Sequence, residues 1–193
     1  MLDSEAFCRD PFLRTSAYNM ATWAVVNMAL SVPSYAMAAG TAWAPLSAGG
    51  YTLAFFAAGL IAGAVHERRV AKMVGPAGDA VFPAARLWAP LLLIGFGGTI
   101  FLIATGRPAL VQPLWLLAVG SAYAMWGWRT RLSLYRWLGL LLLVCGAFVA
   151  SLQSYEVGAA PAVLGLHVWN LTMGVASVAI AIVVNRRYLW QRA

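Results

Sequence analysis

The stretch WAPLLLIGFGGTIFLIAT, residues 88 to 105, decides the fold class of this chain. It contains no charged side chain over its whole length. A helix rises about 1.5 Å per residue, so about 20 apolar residues cross the roughly 30 Å hydrocarbon core of a bilayer. The stretch therefore predicts a membrane-spanning α-helix.

Five similar apolar windows accompany this stretch. The six predicted spans cover residues 17–40, 50–65, 88–105, 110–128, 134–152 and 161–184. Composition agrees, because 62% of the 193 residues are hydrophobic and only 10% are charged, whereas soluble domains carry about 25% charged residues. The sequence predicts an all-α polytopic membrane protein, a compact bundle of six transmembrane helices that forms a single domain over residues 1–193.

The basic residues predict the orientation of the bundle. Of the 13 lysines and arginines, only Arg107 falls on the outer side of the six-span topology. The positive-inside rule then places both termini in the cytoplasm and the protein in the inner, cytoplasmic membrane. The net charge of +7 is not a nucleic-acid signal, because the basic residues are spread over helix ends.

The longest predicted loop is cytoplasmic and covers residues 66–87, HERRVAKMVGPAGDAVFPAARL. One interpretation is a solvated basic connector. The other is a docking surface for a cytoplasmic protein partner or for anionic lipid headgroups.

Small residues recur along one side of several predicted spans. Lipid provides no hydrophobic drive for helix association, so small residues that allow close backbone approach mark the packing faces. Intramolecular packing of the bundle is the favoured interpretation, and a homo-oligomer interface is the alternative. The stripes include Gly59 and Gly63, Gly120 and Gly127, and Gly139 and Gly146.

The six acidic residues all lie in tails, loops or span ends. Carboxylates inside a membrane are costly and are usually kept for function. Their placement therefore argues against a carboxylate-based ion-coupled pump, paired-carboxylate catalysis and a carboxylate-bridged metal site. The two histidines lie at opposite sides and the two cysteines cannot pair in this topology, so neither metal nor cofactor is expected.

Polar residues nevertheless enter the last predicted span, in HVWNLTMG, residues 167 to 174. At the step of about 100° per residue of an α-helix, they share one face with small residues further along. That face comprises His167, Asn170, Gly174, Ser177, Ala181 and Asn185. Span 1 carries a looser stripe that includes Asn19, Asn27 and Ser31. Both stripes are expected to face protein, where they form interhelical hydrogen bonds or line a pocket.

Three functions remain open on the sequence. The leading hypothesis is a membrane protein that binds or transports a small neutral or weakly polar molecule, in an outward-facing pocket between spans 1 and 6 lined by Asn27, His167 and Asn170. The second is a regulatory or assembly subunit, which would hold a membrane or cytoplasmic protein partner or a second copy of itself. The third is an intramembrane hydrolase, with Ser121 as nucleophile and His167 as base. Apart from such partners, only membrane lipids are expected to bind.

Overall fold

The structure is a computed structural model that describes residues 10–38, 45–75, 84–154, 165 and 167–188. All regular secondary structure in these ranges is helical, which confirms the predicted all-α class. The elements are α1 (Pro11–Ala38), α2 (Pro45–Val74), α3 (Ala84–Ala104), a 3₁₀ turn (Pro108–Leu110), α4 (Val111–Arg129), α5 (Ser133–Ser154), a π-helical segment (Asn170–Ala176) and α6 (Ser177–Tyr188). Residues 167–188 are called the last helix below.

Within the described residues, three helical stretches are long and apolar enough to cross a membrane. They are Arg86–Ala104, Ser133–Leu152 and His167–Arg187, with mean hydropathies of 2.1, 1.8 and 1.8. They coincide with the third, fifth and sixth predicted spans. A helical membrane protein follows from these three, whereas spanning by α1, α2 and α4 and the placement of the termini stay predictions.

Helix α2 is much longer than the apolar window that predicts it. It continues from residue 65 to Val74, through part of the predicted loop. Val70 is fully buried there, so one side of this extension packs against protein. Gly75 ends the helix with a φ of 86°, the left-handed conformation that glycine adopts at helix ends without a Cβ penalty.

The described chain forms two compact units. The central unit is Phe82–Thr172 and contains α3, α4 and α5. The terminal unit combines the chain up to Val81 with the chain from Met173, and contains α1, α2 and α6. In the central unit α4 packs against both α3 and α5, and in the terminal unit α1 packs against both α2 and α6.

Glycines bring α4 and α5 together in the central unit. A Cβ on Gly139 would lie 2.6 Å from Ala124 Cα, and one on Gly127 would lie 2.9 Å from Arg136 Cα. Real side chains do not approach backbone this closely, so these positions accept only glycine without a shift. The glycine stripes of spans 4 and 5 therefore serve intramolecular packing, as the sequence favours.

Trp115 of α4 fixes the position of α3. Its ring lies against Gly95, and its Nε1 donates a 2.9 Å hydrogen bond to Thr99 Oγ1. The Thr99 hydroxyl in turn donates to the Gly95 carbonyl at 2.7 Å. The indole N–H therefore has a partner although it lies between two apolar helices, as buried tryptophans require.

An aromatic cluster joins all three helices of the central unit near the turn between α4 and α5. Trp126 stacks on Tyr135 with ring centroids 4.9 Å apart, and Tyr123 lies beside both rings. Trp88 of α3 meets Tyr123 edge to face at 5.3 Å. Trp126 and Tyr135 are almost completely buried, so this cluster is the core of that end of the unit.

The terminal unit begins with a capped helix. The Leu13 backbone N–H donates a 3.0 Å hydrogen bond to Asp10 Oδ1, and Asp10 is buried. Aspartate before a helix satisfies one of the free N–H groups of the first turn, and Pro11 suits the first helical position. The cap accounts for the start of α1 several residues before the apolar window that predicts it.

Candidate functional site

The last helix contains a π-helical segment at the stretch that the sequence marks as unusual. Asn170–Ala176 closes with i→i+5 bonds in place of the α-helical i→i+4 pattern. The Thr172 hydroxyl donates to the Val168 carbonyl at 2.7 Å, an interaction that competes with the backbone ladder and bends helices. Such wide turns occur frequently at functional sites.

The π-helical segment divides the polar face that the sequence predicts. Gly174, Ser177, Ala181 and Asn185 are buried, Asn170 is half-buried and His167 is exposed. The prediction assumes an uninterrupted α-helix. A π-helical turn holds more residues than an α-helical turn, so it rotates the residues before it relative to those after it. The second half of the face is thus buried as expected, and His167 lies off it.

The remaining predicted site residues are distributed over the two units. Asn27 is half-buried on α1 of the terminal unit, and Ser121 is half-buried on α4 of the central unit. His167 and Asn170 belong to the central unit by the same division. The pocket that combines Asn27 with His167 and Asn170 stays a prediction, and so does the pairing of Ser121 with His167.

The last helix meets α1 through Gly174. A Cβ on Gly174 would lie 2.6 Å from Met28 Sδ, so the two helices touch at this level. Asn185 is eleven positions after Gly174 and lies on α6, the helix that packs against α1.

Asn185 is a further candidate for the functional site. The sequence places it on the polar face of the last predicted span but does not assign it to the pocket. Its side chain is only 8% exposed, and its Oδ1 accepts no hydrogen bond from any residue that the structure describes. It lies on the buried side of α6 with Ala181 and Val184, and α1 is the helix that packs there. A buried acceptor without a donor costs about 1–3 kcal/mol, so it calls for a specific explanation.

A second polar cluster lies between α1 and α2. Asn19 Oδ1 is also buried and has no hydrogen bond to the described residues, and it lies 2.8 Å from the position of a Cβ on Gly63. Gly59 lies against Trp23, so the two helices are antiparallel and His66 comes beside the same end of α1 as Asn19. Asn19 and Met28 are half a helical turn out of phase. Met28 faces the last helix, which carries Asn185, whereas Asn19 faces α2. Asn19 and Asn185 therefore lie on different sides of α1.

His66 lies one residue beyond the predicted second span and is half-buried. Burial lowers the pKa of its imidazole from the ordinary value, Glu67 opposes this shift and Arg69 adds to it. The imidazole is therefore neutral at pH 7. Neutral amides and a neutral imidazole are hydrogen-bonding groups suited to uncharged polar partners.

The lowered pKa of His66 makes the stability of the protein depend on pH. Between its folded and unfolded pKa values the unfolded chain binds more protons, so stability rises with pH and is lost as the pH falls below about 6.5. We expect the unfolding midpoint in detergent to fall between pH 8 and pH 5.5, and to fall less in His66→Gln. The matched control is Gln112→Ala, which removes a half-buried polar side chain that does not titrate and should keep the wild-type slope. An equal pH slope in His66→Gln would contradict this assignment.

Comparison with known proteins identifies no relative of this chain. The chain matches no protein family model, no curated protein and no solved structure. Among the described residues, no group of three or more histidine, cysteine, aspartate or glutamate side chains could hold a metal ion. The buried amides of the terminal unit, Asn19 and Asn185, are the groups whose place in the fold still needs an explanation.

Proposed function

We propose that this chain is a multi-pass inner-membrane protein, with both termini in the cytoplasm, that binds or transports a small neutral or weakly polar molecule between its first and last helices. The observation that carries the proposal is Asn185 Oδ1, which is buried and accepts no hydrogen bond within the described part of the chain. It lies on the face of α6 that packs against α1. A ligand with an N–H or O–H group would satisfy it.

Two further observations support the membrane setting. Three described helical stretches have the length and hydropathy of membrane spans. The distribution of basic residues, with Arg107 alone on the outer side, favours a cytoplasmic position for both termini. Six spans, as the apolar windows predict, fit both termini on one side.

The polar residues along the two helices support a ligand without charge. Asn27 lies eight positions after Asn19 on α1, toward the outer end of the first predicted span. We retain Asn27, His167 and Asn170 as the ligand-binding residues of an outward-facing pocket. Asn185 is eighteen residues, or about 27 Å, after His167, so it would bind the molecule at the inner end of a path between the same two helices. All four side chains carry groups that can donate or accept hydrogen bonds, and none is a carboxylate or a lysine.

Native mass spectrometry of the protein released from mild detergent tests this function. We expect a bound mass that is not a lipid, present in the wild type and lost in Asn27→Ala and His167→Ala. Gln112→Ala is the matched control, because Gln112 is a half-buried polar residue on α4 outside the proposed pocket. If both site variants retain the bound mass, the pocket is wrong.

One observation favours a second candidate, a regulatory or assembly subunit of a larger complex. The extension of α2 to Val74 presents Arg68, Arg69 and Lys72, which are all exposed, on a regular helix. A structured basic helix next to the membrane is a suitable contact for an acidic partner protein. A second polypeptide in the same mass spectrum, with no small molecule, would favour this candidate.

A further inference from the structure

The turn between α4 and α5 exposes two large aromatic rings. The segment WGWRTRLSLYRW, residues 126 to 137, is here called the hairpin segment. Trp126 and Tyr135 point inward, whereas Trp128 is 69% exposed and Trp137 is 67% exposed. Trp126 and Tyr135 fill the core at this end of the unit, so the exposed rings of Trp128 and Trp137 do not contribute to it.

The same segment is strongly basic. Arg129 and Arg131 are exposed and Arg136 is half-buried. The sequence contains no aspartate or glutamate from residue 80 to residue 155. No carboxylate therefore lies close in sequence to Arg131 and Arg136, and an anion from outside would be attracted to them.

Arg136 occupies an unfavourable place for a cation. It lies in the first turns of α5, which begins at Ser133, and the N-terminal end of a helix carries a partial positive charge. The guanidinium is held 5.5 Å from the centre of the Trp128 ring, a cation–π arrangement. A cation at this end of a helix is explained if it meets an anion there, since helix N-termini also bind anions through their free N–H groups.

The backbone of the turn presents Arg131 outward. Arg131 has a φ of 58°, in the left-handed region that residues other than glycine and asparagine rarely adopt. The preceding Thr130 is buried, and its hydroxyl donates a 2.8 Å hydrogen bond to the Trp126 carbonyl. The strained conformation is held by this bond and by the core beneath it, and Arg131 remains exposed.

We infer that the hairpin segment binds the phosphate of an anionic phospholipid headgroup, with Arg131 and Arg136 contacting the phosphate and Trp128 and Trp137 inserting beside the acyl chains. A candidate membrane span begins at Ser133, so the segment lies at the level of the headgroups. Indole rings favour this interface, and arginines near it attract anionic lipids. The inference is independent of the small-molecule ligand proposed above.

The full chain in mild detergent is titrated with phosphatidylglycerol and, separately, with phosphatidylcholine, and bound lipid is counted by native mass spectrometry. We expect tighter binding of phosphatidylglycerol by the wild type. Each arginine near a membrane surface contributes an attraction that corresponds to about a fivefold change in affinity. Arg136→Gln should lose about fivefold and the double variant Arg131→Asn, Arg136→Gln about 25-fold, with phosphatidylcholine binding unchanged.

Two controls separate this site from general charge and from misfolding. Arg107→Gln removes one positive charge from an exposed arginine outside the hairpin segment, and should bind phosphatidylglycerol as the wild type does. Arg131→Asn keeps a residue that tolerates the left-handed backbone, and Arg136→Gln removes a charge that opposes the helix dipole, so neither should lower the unfolding midpoint. If Arg107→Gln loses as much binding as Arg136→Gln, the inference is wrong.

Inorganic phosphate distinguishes a lipid site from a site for a soluble anion. A headgroup site anchored by Trp128 and Trp137 should retain phosphatidylglycerol in an excess of inorganic phosphate. The variant Trp128→Leu, which keeps an apolar side chain but removes the ring beside Arg136, should weaken phosphatidylglycerol binding. Complete displacement by inorganic phosphate, with no effect of Trp128→Leu, would overturn the lipid assignment.

Discussion

Gly139→Ala is expected to lower the free energy of unfolding by about 3 kcal/mol or more, because the new methyl group would overlap backbone atoms of α4. The added Cβ would lie 2.6 Å from Ala124 Cα and 2.7 Å from Ala124 Cβ. A flexible side chain could turn away, but the obstacle here is a helix backbone. The helices would have to separate along the whole hairpin, which also holds the Trp126 and Tyr135 core.

The same substitution at Gly97 is the matched control. Gly97 lies on α3, within another candidate span, and a Cβ there would meet nothing within 4 Å. Alanine is a better helix former than glycine by about 0.5–1 kcal/mol, so Gly97→Ala should be neutral or slightly stabilising. Thermal unfolding in detergent followed by circular dichroism gives both values. Equal midpoints for the two variants would contradict the close packing of α4 and α5.

Asn185→Leu is expected to stabilise the protein by about 1–2 kcal/mol while abolishing ligand binding. Leucine has a similar volume and carries no acceptor that must be satisfied in the interior. The substitution removes the cost of burying Oδ1, which accepts no hydrogen bond among the residues described. A gain in stability with a loss of function is typical of residues retained for binding.

The control for this second prediction is Asn27→Leu. Asn27 is only half-buried on α1, so water can reach its side chain and leucine should change stability by less than about 0.5 kcal/mol. Unfolding midpoints and native mass spectra of both variants are compared with the wild type. If Asn185→Leu is less stable than the wild type, the amide is already satisfied within the folded protein and the argument for a ligand there fails.

The sequence predicts the helices well because their signal is local. The apolar windows end within a few residues of the bounds of α3, α4 and α5. The extension of α2 past residue 65 is not visible in hydropathy, because residues 66–74 are polar enough to suggest a loop and are helical through propensity and the burial of Val70.

The candidate site is predicted less well, for a geometric reason. An α-helix with a constant rotation of about 100° per residue would place His167 on the same face as Asn185. The π-helical segment between them has a smaller rotation per residue, so His167 lies off that face. No simple sequence pattern announces such a segment, although Thr172 and Gly174 are compatible with it. Likewise, the polar stripes identify Asn19 and Asn185, but only the packed structure shows which amide oxygens lack a donor.

The division of the chain also has a consequence for biosynthesis. The central unit is continuous in sequence, and its helices pack in chain order, so it can assemble while the ribosome is still adding residues. The terminal unit has no such opportunity, because α1 must wait for α6 to be translated and inserted. During this interval the side of α1 that packs against α6 in the finished protein lacks that partner. The first helix to be synthesised is thus among the last to acquire its full set of neighbours.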